Sequence, residues 1–195
     1  LKLDVVFSGV GGQGVVVLSD IYCEAAMLDG FDVAKAEIHG MAQRGGSIVA
    51  YTRIGEKVES PLIETGKADV IVGFEILETA RSLPMLKLGG NVIVNLKLIQ
   101  PSSMPKGVKP KSQKELIALL QTRASVHEVD GFGIAQKLGN MLVVNTILLG
   151  ALSALPEIPI KVESFQQAIA GKIKERFINL NLQAFQLGRE SVLKS

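Results

Sequence analysis

This sequence predicts an α/β fold: a three-layer α/β/α sandwich with a Rossmann-like start, a mixed sheet and a helical C-terminal third. Three observations predict it. Apolar runs of strand length alternate with helix-length segments as far as Val129, the pattern of helices layered on a sheet. The turn Gly9-Val10-Gly11-Gly12-Gln13-Gly14 follows the first run and opens the first helical segment, so it has the placing of a nucleotide-binding strand–loop–helix unit. Only eight residues separate the run ending at Ile38 from the one starting at Ser47. A parallel crossover needs a dozen or more, so one strand of that pair runs antiparallel.

Asp4 to Ser8 reads as a short buried strand and Gln13 to Leu28 as the helix after it. Asp32 to Ile38 and Ser47 to Ile54 are strand candidates rich in β-formers such as Ile48, Tyr51, Thr52 and Ile54. Gly55-Glu56 has the composition of a hairpin turn into Lys57 to Ser60, closed by Pro61. Ala68 to Phe74 is almost continuously apolar, as in a strand covered on both faces. A helix over Glu75 to Leu83, a turn over Pro84 to Gly90 and a buried strand over Asn91 to Leu96 follow. Pro101 to Lys111 carries the weakest structural signal. Beyond it come a helix over Ser112 to Gln121, a strand over Ser125 to Val129, and helices.

The 195 residues suffice for one sizeable domain, read as 1–195. A net charge of +2 offers no case for nucleic acid, and the lysines at 106, 109, 111 and 114 lack aromatic residues to stack bases. The single cysteine, Cys23, excludes an internal disulfide and any cluster or zinc site built from cysteines of this chain alone. Its helical setting beside Ala25 and Ala26 predicts a buried, inert thiol. The apolar stretch Met141 to Leu155 is shorter than the roughly 20 residues a bilayer needs and reads as a buried helix. No signal peptide is expected at the start, and a cytoplasmic setting without membrane attachment is the expectation.

Gly9-x-Gly11-x-x-Gly14 satisfies the dinucleotide fingerprint, with Glu37 about where a ribose-binding acid belongs. The short connection after Ile38 strains that reading. A free-standing Rossmann-like oxidoreductase binding NAD or flavin therefore remains the alternative.

Together the motifs resemble a known family. Gly9 to Gly14 is similar to the opening of the gamma-type subunit of 2-oxoacid:ferredoxin oxidoreductases. Glu37-Ile38-His39-Gly40-Met41-Ala42-Gln43-Arg44-Gly45-Gly46-Ser47 resembles the form in the beta subunit of indolepyruvate oxidoreductases, where pyruvate and 2-oxoglutarate relatives have Tyr-Gly-x-x-x-Arg-Gly-Gly. Ser60-Pro61-Leu62-Ile63, Ala68-Asp69-Val70, Gly73-Phe74-Glu75, Leu88-Gly89-Gly90, Asn140, Asn145, Gly150 and the Asn181 to Gly188 segment agree with it in order.

The resemblance implies an accessory subunit in oxidative decarboxylation: a 2-oxoacid and coenzyme A give acyl-CoA, carbon dioxide and two electrons for ferredoxin. Thiamine diphosphate, magnesium and [4Fe-4S] clusters would sit on larger partner subunits, with coenzyme A as co-substrate. Aryl pyruvates such as indolepyruvate are the substrates it favours.

Within this chain the candidate binding residues are Gly9, Gly11, Gly12, Gln13, Gly14, Gly45 and Gly46. Helix-opening N–H groups suit an anion, a coenzyme A phosphate or a partner's carboxylate; a bare tight turn is the other reading. Arg44 and His39 are the candidate catalytic residues. Arg44, flanked by Gly45-Gly46, would meet a planar acid or phosphate, or else form a structural pair with Glu37. His39 is a proton donor or a structural histidine. Glu75 either caps the following helix or lines the cleft. Asn140 and Asn145, unusual on an apolar helix, would bind the glycine loops or a second subunit. His127 and Tyr22 read as structural. Ile169, Ile173, Phe177, Leu180, Ala184 and Leu187 follow helical spacing, for core packing or for docking a larger subunit.

Overall fold

The computed structural model describes residues 1–40, 45–100 and 109–194. Its six strands are β1 (Lys2–Val10), β2 (Asp32–His39), β3 (Ser47–Gly55), β4 (Ala68–Gly73), β5 (Leu86–Asn95) and β6 (Ala124–Val129). They form one sheet in the order β2-β3-β1-β4-β5-β6. β1, β4, β5 and β6 run parallel, whereas β3 lies antiparallel to both β1 and β2. The mixed sheet follows from the short β2–β3 connection, as expected. The adjacency does not: β3 occupies the place beside β1 that β2 would take in a Rossmann unit.

The helices are α1 (Val15–Leu28), α2 (Ile76–Ser82), α3 (Gln113–Gln121), α4 (Gly131–Lys137), α5 (Val144–Ser153), α6 (Val162–Lys172) and α7 (Ile178–Leu193). One face of the sheet packs on α1, α5, α6 and α7 through a large core that includes Val5, Phe7, Val72 and Ile93. The other packs on α2 and α3 through Val6, Ile71, Val92 and Val94. Consecutive β1 residues thus serve opposite cores, as the two-residue strand period requires. The three-layer sandwich holds, and the C-terminal helices cover the sheet.

Aromatic rings run through the larger core. Phe7 meets Tyr22 edge-on at 5.5 Å, Tyr22 meets Phe165 at 6.4 Å, and Phe165 meets Phe185 at 5.7 Å. This chain of contacts joins β1 to α1, α6 and α7 and places Tyr22 in the core, as read from sequence. Such pairs contribute about 0.5–1.5 kcal/mol beyond their buried area.

Two expectations need correction. Lys57 to Ser60 is not a strand. Asp32 Oδ2 takes the Val58 N–H at 2.8 Å and Arg53 Nη1 reaches the Ser60 carbonyl at 3.1 Å, so side chains hold this segment where a ladder was expected. Pro84 to Gly90 is not a plain turn: a 3-10 turn spans Leu83–Met85 and β5 already begins at Leu86. Its register on β4 shifts between Ala68 and Val70, and Gly89, at φ 73°, supplies the bend. The apolar series from Ile169 to Leu187 serves core packing, its default reading, from two helices: the chain leaves α6 at Ile173 and re-enters helix at Ile178. Ile169 and Ala184 are buried completely, and Phe185 joins them in the core.

Candidate functional site

At the carboxyl ends of β1 and β4 the chain leaves the sheet in opposite directions. β1 feeds α1 on one face; β4 feeds α2 on the other. Such a switch point opens a crevice where ligands bind in open α/β sheets. A cleft of about 390 Å³ lies there.

Its first wall is the Gly9–Gly14 loop. Gln13 folds back so that its Oε1 accepts the Val10 N–H at 2.7 Å. Gly9 has no room for a side chain: a Cβ would stand 2.7 Å from that Oε1 and 2.8 Å from the Phe74 Cβ. Gly12 and Gly14 hold φ of 95° and 87°, a region that disfavours any residue with a Cβ. α1 opens on Gly14 with no side chain capping it, so the N–H groups of its first turn are orphan donors at the positive end of the helix dipole. The second glycine loop packs on the first, with Gly11 N–H donating to the Gly46 carbonyl at 2.9 Å. Gly46 therefore braces the first loop, and Gly45 beside it holds a φ of 73°.

The second wall is built of amides and apolar groups. Asn145, at the start of α5, sets its Nδ2 3.0 Å from where a Gly14 Cβ would lie. Its Oδ1 accepts the Thr146 N–H at 2.8 Å, and Thr146 Oγ1 donates to Asn181 Oδ1 at 2.6 Å. The Asn145 amide thus lies against the glycine loop, one of the two places expected for it. Asn140 instead caps the turn before α5, accepting the Leu142 N–H at 2.9 Å.

Asn95, buried at the end of β5, donates from Nδ2 to the Phe74 carbonyl at 3.0 Å and accepts the Gly131 N–H at 3.1 Å. It ties the ends of β4 and β5 to the start of α4. Phe132, Met141, Leu142 and Val144 complete the lining. Leu142 is 83% exposed at the rim, and Lys97 Nζ stands 5.0 Å from the centre of the Phe132 ring. The cleft thus joins backbone donors, carboxamides and an apolar rim with a cation beside it. It suits an anionic ligand carrying an apolar or aromatic part.

Asn95 and Phe132 escaped the sequence reading. A polar residue closing a buried strand was the available signal for Asn95; Phe132 had none.

Glu75 takes the capping role. Its carboxylate accepts the N–H groups of Leu77, Glu78 and Ile99. Burial raises its pKa above the usual carboxylate value even though those three bonds oppose the rise.

His39 does not reach the cleft. It lies exposed at the end of β2, beyond β3 and β1, with Nε2 3.0 Å from Glu37 Oε2. Glu37, the expected ribose-binding acid, pairs with Lys35 at 2.7 Å and with His39. Those partners hold its carboxyl below the ordinary value, Lys35 foremost. With β3 between β2 and β1, Glu37 cannot serve a nucleotide on the glycine loop. Arg44 and Met41 lie outside the described residues.

His127 is half-buried on β6, its Nε2 3.1 Å from Asn91 Oδ1. Cys23 is buried in α1, and burial pushes its thiol up to about 12. Among the described residues no cluster of His, Cys, Asp and Glu is placed to hold a metal ion. No described helix is long and apolar enough to cross a membrane.

A small α/β domain with a glycine-loop cleft at the switch point is the class that fold and site define. Residues 4–191 match the family model described as pyruvate ferredoxin/flavodoxin oxidoreductase, and the chain belongs to that family. It is 38% identical over 190 residues to the indolepyruvate oxidoreductase subunit IorB of Methanothermobacter thermautotrophicus, covering 96% of each chain. It is 30% identical to the common gamma subunit of the pyruvate/ketoisovalerate oxidoreductases of Thermococcus litoralis, covering 94% of this chain and 96% of that one. Among solved structures, the keto/oxoacid ferredoxin oxidoreductase gamma subunit of Geobacter sulfurreducens superposes with a TM-score of 0.76 at 25% identity, covering 99% of both chains.

Proposed function

We propose that the protein is the accessory, non-thiamine subunit of a cytoplasmic 2-oxoacid:ferredoxin oxidoreductase, with indolepyruvate and other aryl pyruvates as its substrates. The larger partner carries thiamine diphosphate, magnesium and [4Fe-4S] clusters, and ferredoxin takes the electrons from the holoenzyme. Identity with subunits named for indolepyruvate oxidation supports the aryl substrate, as does the His39 to Ser47 form of the second loop.

In this chain the cleft holds the co-substrate coenzyme A. The observation that carries this is the uncapped start of α1 facing Asn145 across a cleft with an apolar rim. First-turn N–H groups would bind phosphate oxygens, and the Asn95 and Asn145 carboxamides and Phe132 would hold the organic part. Arg44, followed in sequence by Gly45 and Gly46, meets the 2-oxoacid carboxylate or a phosphate in the assembled enzyme. His39 supplies a proton or an interface contact.

Purification of the chain from its host with its partner, followed by coenzyme A-dependent viologen reduction across a panel of 2-oxoacids, tests the reading. Indolepyruvate is expected to give the highest activity. Arg44→Ala should reduce turnover of the assembled enzyme while leaving folding intact. Gly14→Ala should raise the KM for coenzyme A. Recovery of the chain alone, carrying a nicotinamide or flavin, would overturn the proposal.

A further inference from the structure

β2 is an edge of the sheet, and its central charges, Lys35 and Glu37, are of opposite sign, so they do not bar a second copy of the same strand as like charges would. It is long, carries no proline and leaves Ile38 57% exposed. Which of its backbone groups point outward can be read from its pairing with β3. Gly40 N–H donates to the Ser47 carbonyl at 2.8 Å, and the register runs unbroken from His39↔Ile48 to Asp32↔Gly55. N–H and C=O of one residue point to the same side in an antiparallel strand, so Ile38, Ala36 and Ala34 bond inward. Val33, Lys35, Glu37 and His39 present theirs outward. The Val33 N–H confirms this phase, since the side chain of Asp32 takes it at 3.0 Å.

We propose that β2 pairs antiparallel with β2 of a second copy of this chain about a two-fold axis at Ala36, joining two sheets into one. Two independent conditions select that register. Backbone phase requires outward residues to face outward residues, which limits the two-fold to a few positions. Charge then chooses among them. An axis at Lys35 sets lysine against lysine, and one at Glu37 sets glutamate against glutamate. The axis at Ala36 sets Lys35 opposite the second copy's Glu37 and Glu37 opposite its Lys35, with Val33 facing His39.

Within each copy Lys35 already contacts Glu37 at 2.7 Å and Asp20 of α1 at 2.5 Å. Pairing completes a square of alternating charge across the new seam, and opposite charges directly across a ladder stabilise it. The other face of β2 fits too. Ala34, Ala36 and Ile38 lie opposite Arg53, Tyr51 and Val49 of β3, and Val49 and Tyr51 pack on the second core. The two-fold sets Ile38 against the second copy's Ala34 and Ala36 against itself, large against small, and covers the exposed Ile38.

The cleft at the carboxyl ends of β1 and β4 stays open to the large subunit in this arrangement. The dimer therefore does not depend on the function proposed above.

Cysteine cross-linking of the full chain tests the axis. Residues at the two-fold form a non-hydrogen-bonded pair with Cα atoms about 4.5 Å apart, within the roughly 4.4–6.8 Å span of disulfides. Native Cys23 is buried. Ala36→Cys should therefore convert to disulfide-linked dimer under mild oxidation, and Ala34→Cys, facing Ile38, should not. A charge exchange gives a second readout that does not rely on disulfides. Lys35→Glu and Glu37→Lys should each be monomeric by light scattering and dimerise when mixed, because only the mixture restores opposite charges at both positions. A monomeric parent chain, or Ala36→Cys linking no better than Ala34→Cys, would overturn the proposal. So would failure of two folded charge variants to associate on mixing.

Discussion

α5 and α7 cross at two glycines, and this contact sets a quantitative prediction. A Cβ on Gly150 would stand 2.0 Å from the Phe185 carbonyl oxygen, and one on Gly188 would stand 1.9 Å from that of Ile147. These obstacles are helix backbone and cannot swing aside. Gly150→Ala must therefore push the helices apart by about an ångström before the contact reaches the 3.0 Å that real Cβ atoms respect. The move pulls on the Thr146–Asn181 hydrogen bond at 2.6 Å and on Arg189 Nη1 at 2.8 Å from the Ser153 carbonyl.

Overpacking of this kind costs typically ~1–3 kcal/mol, and a weakened buried hydrogen bond adds about 1 kcal/mol. Alanine returns roughly 1 kcal/mol through its better helix propensity. A net loss of about 2 kcal/mol should lower Tm by roughly 4–8 °C for a chain of this length. Gly171→Ala in α6 is the control, because nothing lies within 4 Å of its Cβ position; it should hold or gain stability. Urea unfolding of both variants beside the parent is the assay. Gly150→Ala as stable as Gly171→Ala would refute the close crossing. Because Asn145 begins the same helix, the variant should also weaken binding in the cleft.

Other outcomes follow from the same structure. Asn95→Ala strands the Phe74 carbonyl and the Gly131 N–H in a buried place, so equilibrium unfolding should show a loss of about 3 kcal/mol. Burial lowers the His127 pKa from 6.5, with Glu157 opposing; the unfolded chain therefore binds the proton more readily. The stability it contributes is present above pH 6.5 and lost as pH falls through the depressed folded value. His127→Gln should flatten that acid limb of the stability–pH curve. For Cys23 the sign is reversed: its thiol, raised from 9.0 to about 12, contributes stability that is present below pH 9 and lost as pH climbs towards 12. A thiol reagent should label it only after denaturant is added; rapid labelling of the native chain would show the site to be open.

Much of the fold was legible because its signals are local. The glycines at 12 and 14, the apolar run Ala68 to Phe74 and the eight-residue gap after Ile38 each constrain their own neighbourhood. The gap announced an antiparallel pair correctly. Side chains reaching across the fold were not legible. Nothing near Lys57 shows that Arg53 and Asp32 will hold it off the sheet, and nothing near Asn95 shows that it will join Phe74 to Gly131. The site was half legible for the same reason: the glycine loop declares itself and Asn145 stands out as an amide on an apolar helix, whereas Asn95 and Phe132 reach the cleft from elements that carry no such mark.

The sequence by itself determined the strand–helix alternation, the anion-ready turn at Gly9–Gly14 and a family likeness running the length of the chain. These rest on turn stereochemistry and side-chain period, which neighbouring residues set. Only the tertiary structure decided that β3 stands beside β1, carrying Glu37 and His39 away from the cleft and leaving β2 at an open edge. That choice depends on which faces can be buried together, and burial is a property of the whole chain.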